Sequence, residues 1–323
     1  MRALITGGVG FVGTHLSRHL VECRDNVAVT YLPSQKGTSQ LNERLAVLPK
    51  TIQSVALDVS DPGALGQIFS LMKPEVIYHL AAISFVPQGE GSQDEVIKVN
   101  SYGTKNIIEA MKEHCPKSRM VLVSSSQVYG TPRVASQAIQ ETAEIRPTNF
   151  YGISKALAEH FLVRAVLAGD IDGVIARPFP HIGPHQEDRF SLSSFSKQIT
   201  EIKLGKKEPV LEVGDLSVKR DFCDVSDVVR GYRNMALNGK PAEAYNLCSG
   251  ASYELAEFVS MMIKLAGVEI EIKQDPARLR PVDIQEHLGS YQKANRDFGW
   301  KPRVEVEAML SSMLSYWEET LQS

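Results

Sequence analysis

At 323 residues and 43% hydrophobic content, the chain holds enough apolar material for a main domain plus an accessory lobe, which excludes bulk disorder. A formal charge of -3, with no block of like charges at either end, argues against nucleic acid or a membrane surface as partner. An anionic ligand must therefore be met by individually placed Lys or Arg. Cys23, Cys115, Cys223 and Cys248 lie far apart with no CxxC pair, which predicts buried thiols in a reducing compartment and no metal site. No apolar run approaches the ~20 residues of a membrane span. The N-terminus enters an apolar strand directly, without a signal-peptide pattern, so the expected location is the cytoplasm.

In chain order, short apolar runs alternate with amphipathic stretches. Strands are expected over 2–6, 27–31, 52–57, 76–80 and 120–124, and helices over 11–23, 62–72 and 95–114. This alternation predicts βαβ crossovers and a doubly wound parallel sheet, an α/β fold of Rossmann type. After a further strand over 172–177 the texture changes. Residues 178–220 are rich in Pro, Gly, Ser and charge, hold one helical segment over 191–203, and carry too little apolar content for a core of their own. A helix over 225–236 and a strand over 244–247 are expected to return to the sheet. The expected domains are 1–178 with about 225–248 for a dinucleotide, and 179–224 with 249–323 as a smaller α/β substrate lobe.

Gly7, Gly8, Gly10 and Gly13 fall in TGGVGFVG, directly after the first strand and at the opening of the first helix. Gly7 permits the tight turn, Gly10 lets backbone amides approach a pyrophosphate, and Gly13 lets the helix pack close to the sheet. The helix N-terminus, with Phe11 and Val12, then faces the phosphates with partial positive charge. The end of the second strand usually offers a carboxylate to the ribose 2′-hydroxyl. Tyr31 stands there instead, with Ser34 and Lys36 following to meet a 2′-phosphate, so NADP is favoured over NAD. Asp58, followed by Val59 in ALDVSD, either accepts from the adenine amino group or caps a turn. Leu80, Ala81 and Ala82, in YHLAA, lie at a strand's C-terminal edge, where such sheets bind ligands.

Tyr151 and Lys155, in YGISK, are four apart on a helix and project from one face. An ammonium beside a phenol lowers its pKa toward a useful range and can also hold the nicotinamide ribose. Ser125, in VSSSQVYG just past a strand, can hydrogen-bond the same substrate oxygen as Tyr151. Three such groups beside a dinucleotide make a carbonyl/alcohol redox site.

The motifs TGGVGFVG, HLAA, VNSYGT, SSSQVYG, YGISK, RDFCDVSDVV and YNLCSG occur in this order over nearly the whole chain, which resembles the extended short-chain dehydrogenase/reductase family acting on nucleotide-linked sugars. The resemblance implies that Ser125, Tyr151 and Lys155 are the catalytic triad, that Asn100 lies near the cofactor, and that residues around Phe179 reach the nicotinamide side. Ser126 and Gln127 stand where the family's 4,6-dehydratases carry an acid/base pair. Neither ionises usefully, which disfavours elimination and leaves reduction of a 4-keto group or epimerisation with tightly held NAD. A non-catalytic dinucleotide-binding protein would have no need of the three triad residues together.

The second lobe, with RPFPHIGPHQ, SFSKQITEIKLGKKEP, VGDLSVKRDF and RLRPVDI, is most similar to the branch that reduces GDP-linked 4-keto-6-deoxymannose. That implies a nucleotide-diphosphate sugar as substrate, with Arg220 and Arg280 clamping the diphosphate. Ser126, Lys197 and Gln186 are further expected contacts, and His181 is expected to be a structural hydrogen-bonder. Pro180 replaces the branch's usual Asn, removing an amide and a backbone donor, and Asp215 replaces another Asn. Both changes fall in the substrate lobe. Family members pair two long helices across a two-fold axis, which implies a homodimer built on 95–114 and 150–167.

Overall fold

Residues 1–84, 93–132, 137–279 and 284–322 are described by the structure, a computed structural model. The first half runs β1 (Arg2–Thr6), α1 (Phe11–Glu22), β2 (Asn26–Tyr31), α2 (Ser39–Ala46), β3 (Gln53–Ala56), α3 (Pro62–Met72) and β4 (Val76–His79). It continues through α4 (Gln93–Ile97), a π-helical turn over Lys98–Tyr102, α5 (Gly103–His114), β5 (Arg119–Val123), α6 (Phe150–Leu167) and β6 (Asp172–Pro178). The second lobe opens with β7 (His181–Ile182), α7 (Ser191–Lys203), β8 (Val210–Val213), β9 (Lys219–Arg220) and β10 (Cys223–Asp224). Then α8 (Val225–Asn238) and β11 (Ala244–Leu247) return to the sheet, as the sequence predicts. The chain finishes with β12 (Tyr253–Glu254), α9 (Leu255–Ala266), β13 (Glu271–Gln274), β14 (Glu286–His287), α10 (Gln292–Phe298) and α11 (Val306–Gln322).

Seven strands form one sheet in the order β11-β6-β5-β4-β1-β2-β3, and every pairing is parallel. Because helices cover both faces, the strands read as continuous apolar runs rather than as alternations. Along β1 the side chains divide. Ala3 and Ile5 enter the layer with Leu16 and Leu20 of α1 and Val228 and Tyr232 of α8. Leu4 enters the opposite layer with Phe69 of α3, Ile107 of α5 and Leu162 of α6. Local signals set the helix starts: Asp61 caps α3 ahead of Pro62, and the Asn149 side chain accepts from the Gly152 amide at 2.8 Å to open α6.

Two features differ from the sequence expectation and one bears it out. The single helix over 95–114 is interrupted by the π turn around Asn100, the usual sign that a side chain is being re-aimed. As expected, the stretch over 178–220 has no core of its own: Ile182, Phe195, Ile199, Leu211 and Val213 pack against Phe258 and Met262 of α9 and Leu310 and Met313 of α11. Its missing apolar surface comes from the C-terminal helices. Ala294 and Trp300, expected in the substrate lobe, pack instead into the sheet's first layer, where Trp300 Nε1 donates to the Asp227 carbonyl at 3.0 Å.

Candidate active site

The sheet order reverses between β1 and β4, so their C-terminal ends open the crevice where such folds bind dinucleotides. The Gly7 turn sits against that edge at φ +67°, where a Cβ would lie 2.9 Å from the Ala81 Cα. A Cβ on Gly13 would meet the Gly8 backbone at 2.6 Å, so α1 can seat only without one. Gly10 differs: the nearest atom to its Cβ direction is the Gly7 carbonyl at 3.3 Å. Since α1 starts at Gly10 with no side-chain cap, the amides of Phe11 and Val12 stand at an open helix end. This cradle fits a pyrophosphate.

Around it, Tyr31 ends β2 half-buried, its carbonyl accepting from the Leu57 amide at 2.8 Å, and Ser34 and Lys36 follow as exposed residues. Asp58 takes the turn role, its Oδ1 accepting from the Ser60 amide at 2.8 Å. The Val59 side chain is buried against Gly103, and its carbonyl accepts from Asn106. Leu80, Ala81 and Ala82 follow β4, with the Ala81 amide donating to Thr6 Oγ1. The Phe11 ring turns toward the second lobe and stacks on His181, 6.0 Å between centroids.

The β4 end is braced by His79, fully buried between Thr6 Oγ1 at 2.7 Å and Thr104 Oγ1 at 3.0 Å. Thr104 donates its own proton to the Asn100 carbonyl, so His79 Nε2 donates to Thr104 and Nδ1 accepts from Thr6. Burial pushes His79 down to about 3, which keeps it a neutral brace.

The three reactive groups converge. Ser125 caps the turn after β5, its Oγ accepting from the Gln127 amide at 3.2 Å, and its hydroxyl lies near that of Tyr151 on α6. Lys155 lies 2% exposed one turn further on, donating to the Val123 carbonyl at 2.8 Å, with Nζ 5.8 Å from the Tyr151 ring centroid. The sequence reading has this ammonium lowering the phenol. In the structure burial instead pushes Tyr151 up to about 12, opposed by the nearby Ser125 hydroxyl. Burial also pushes Lys155 down to about 8, opposed by the Glu159 carboxylate. Ser126 is buried beside Ser125, and Gln127 Oε1 accepts from Asn149 Nδ2 at 3.0 Å.

Asn100 is placed to hold this arrangement rather than to reach out from it. Its Oδ1 accepts from the Ile83 amide at 2.8 Å, and its Nδ2 donates to the Ile83 carbonyl and to Ser154 Oγ, both at 3.0 Å. One side chain thus ties the loop after β4 to α6, beside Lys155. Phe179 is buried at the end of β6, and Pro180 accepts from the Cys223 amide.

The lobe residues are more dispersed. Arg220 Nη1 donates to the carbonyls of Lys219 and Ile284 on the strand β9 that pairs with β14. Lys197 is committed to Asp188 at 2.6 Å and lies over the Trp317 ring, so its ammonium braces the lobe. Gln186 donates to the His181 carbonyl, and His181 Nδ1 contacts the Phe179 carbonyl at 2.8 Å. Asp215 closes an exposed turn on Ser217. Arg280 lies outside the described residues.

The model of the family described as GDP-mannose 4,6 dehydratase matches residues 4–313. The chain belongs to that family. Among similar proteins, a GDP-6-deoxy-D-mannose reductase of Pseudomonas aeruginosa is 32% identical over 99% of this chain and 98% of its own length. A UDP-glucose 4-epimerase of Bacillus subtilis is 28% identical over 96% and 94%. A solved structure of RMD from Pseudomonas aeruginosa complexed with NADPH superposes with a TM-score of 0.85, at 30% identity, over 99% of this chain and all of that one. The family is an extended short-chain dehydrogenase/reductase family.

In this family member, sequence reading overlooks a buried polar group behind the triad. Glu159 accepts from Ser124 Oγ at 2.5 Å and from Arg177 through both carboxylate oxygens, at 3.0 and 2.6 Å. Arg177 continues to the Tyr129 hydroxyl at 3.0 Å, and Tyr129 donates to Asn246 at 2.7 Å. The available signal was Glu159 itself, four residues after Lys155 on the same helix face. His287 was also missed: it is buried, stacked on Phe179 at 4.9 Å, and neither ring nitrogen has a hydrogen-bond partner among the described residues. Burial, then the nearby Arg220 charge, pushes it down to about 4. A cavity of about 790 Å³ opens on the outer side of the Glu159–Arg177 pair, toward Leu167 and Lys293, and no triad residue lines it. Ser125, Tyr151 and Lys155 lie instead at the C-terminal ends of the strands.

Proposed function

We propose that this chain reduces the 4-keto group of a GDP-linked deoxy-sugar with NADPH or NADH, NADPH being favoured. The observation that carries the reading is the convergence of Ser125, Tyr151 and Lys155, with the Lys155 ammonium 5.8 Å from the Tyr151 ring centroid and pinned to the Val123 carbonyl, beside a Gln127 tied to Asn149. Tyr151 keeps its proton at neutral pH and can donate it to a carbonyl oxygen as negative charge develops there, the Lys155 cation favouring the phenolate that results. The family relationship and the reductase relative support the same substrate class.

The residues Gly7, Gly10, Phe11, Val12 and Gly13 would hold the dinucleotide pyrophosphate, with Tyr31 and Asp58 toward the adenosine and Phe179 toward the nicotinamide. When bound, the nicotinamide supplies the hydride. Ser125 and Tyr151 hold the substrate oxygen from two directions. As that oxygen gains negative charge, Tyr151 passes its hydroxyl proton to it, and the Lys155 cation stabilises the phenolate left behind. Arg220, and Arg280 on the sequence alone, would meet the diphosphate. Residues 1–178 with 225–248 would carry the cofactor and the remainder the sugar. The half-exposed Tyr102, Phe150 and Ile153 on the π turn and α6 favour a homodimer through this face. The four free thiols suit a reducing cytoplasm.

The deciding experiment incubates the protein with GDP-4-keto-6-deoxymannose and NADPH and follows absorbance at the reduced-nicotinamide band. One cofactor oxidised per substrate reduced is expected. A stoichiometric nicotinamide released on denaturation, with no net oxidation, would instead mark an epimerase.

A further inference from the structure

The reduction chemistry leaves one buried ion pair unused. Glu159 and Arg177 have side chains only 2% and 6% exposed, and burying such a pair costs desolvation that apolar side chains avoid. The contacts of Glu159 supply a reason for it. The carboxylate sits on α6, four residues after Lys155 and eight after Tyr151, on the same helix face. It accepts from Ser124, the residue before Ser125, and from Arg177, two residues before Phe179. One side chain thus touches the three elements that deliver Ser125, Lys155 and Phe179 to the cleft.

We propose that Glu159 is a positioning residue for the triad, fixing the ends of β5 and β6 against α6 through Ser124 and Arg177 and facing Lys155 with a negative charge. The groups around Lys155 make that charge matter. Tyr151 and Glu159 face it from α6, the Val123 carbonyl from β5, and a neutral His79 from β4, while Arg177 of β6 is balanced by Glu159 itself. Glu159 is therefore the anion that favours the Lys155 cation.

The test is a titration of the Lys155 side chain by 13Cε-lysine NMR in the cofactor-free protein, the resonance being assigned by its loss in Lys155→Met. In Glu159→Gln the midpoint is expected to move down by about one pH unit. The alkaline limb of kcat should move with it, while KM changes by less than about twofold. If Glu159→Gln does not fold, the double variant Glu159→Gln with Arg177→Met removes both charges and is read the same way. A midpoint equal to that of the wild type, whatever the loss of melting temperature, overturns the proposal and leaves the pair structural only. The kinetic arm rests on the reductase reading, whereas the titration does not, so the role of Glu159 is decided even in a protein inactive on 4-keto sugars.

Discussion

The Lys155 ammonium donates to the Val123 carbonyl at 2.8 Å, so the reactive helix is pinned to the last residue of β5. The cation stays within reach of Tyr151 while its proton is held by a main-chain group. With burial pushing Lys155 down to about 8, the cation is lost as pH rises through that value. The reductive kcat/KM is therefore expected to be flat near pH 7 and to fall about tenfold per unit well above pH 8. Initial rates of NADPH oxidation across pH 6 to 10 check this, and a rate still rising at pH 9.5 contradicts it.

The same group makes a stability prediction of opposite sense. Burial depresses the Lys155 midpoint in the fold below its unfolded value of 10.5, so between about pH 8 and that value the unfolded chain holds more protons and stability rises with pH. Below pH 8 the full penalty stands, about 3.5 kcal/mol at ~1.4 kcal/mol per unit. Lys155→Met should thus stabilise the protein at pH 7 and much less at pH 10.5, while abolishing turnover. Urea unfolding at the two pH values measures the difference, and equal gains at both would refute the linkage.

Tyr151→Phe removes the proton donor and little else, since the ring stays in place. Turnover is expected to fall by about 10²–10⁴, with NADPH affinity unchanged in a thermal-shift titration. A variant as active as the parent would remove Tyr151 from the chemistry.

Two glycines of the turn separate fold from ligand. Gly13→Ala drives a methyl to 2.6 Å from the Gly8 backbone and should cost about 1–3 kcal/mol. Gly10→Ala meets only the Gly7 carbonyl at 3.3 Å, so it should melt near the parent temperature while losing NADPH affinity. Calorimetry with and without NADPH distinguishes the two, and equal losses of stability would show that the cradle assignment is wrong.

Asn100→Ala leaves the Ile83 amide and carbonyl and Ser154 Oγ short of a partner. A destabilisation of about 1–3 kcal/mol is expected, together with faster amide exchange at Ile83. Unchanged exchange there would mean that the tie does not hold the loop.

The parallel sheet was legible because both of its faces are covered: β4 reads VIYH with every residue buried, and helical periodicity separates such runs. Ser125, Tyr151 and Lys155 were legible because each sits next to a strand or helix end that periodicity locates. The ties of Asn100 to Ile83 and Ser154 were not legible, since nothing in a linear chain says whether an amide faces a ligand or a neighbouring loop. The pairing of Lys197 with Asp188, nine residues away across a turn with no periodic signal, was hidden for a similar reason. That residues 178–220 lack a core of their own was legible from their low apolar content, and α9 and α11 supply the other half. The phenol's direction of shift depends on burial, which only the assembled site sets.

The glycine-rich turn and the segment after β2 stand in opposite positions with respect to change. Around Gly7, Gly8 and Gly13 an added methyl meets backbone or the Val29 side chain within 3 Å, so the phosphate cradle is frozen to drift. By contrast Leu32, Pro33, Ser34 and Lys36 are exposed and contribute nothing to either face of the sheet. Selection for the other nicotinamide dinucleotide therefore has a free strip on which to act. Sequence change along that strip leaves both core layers of the sheet as they are.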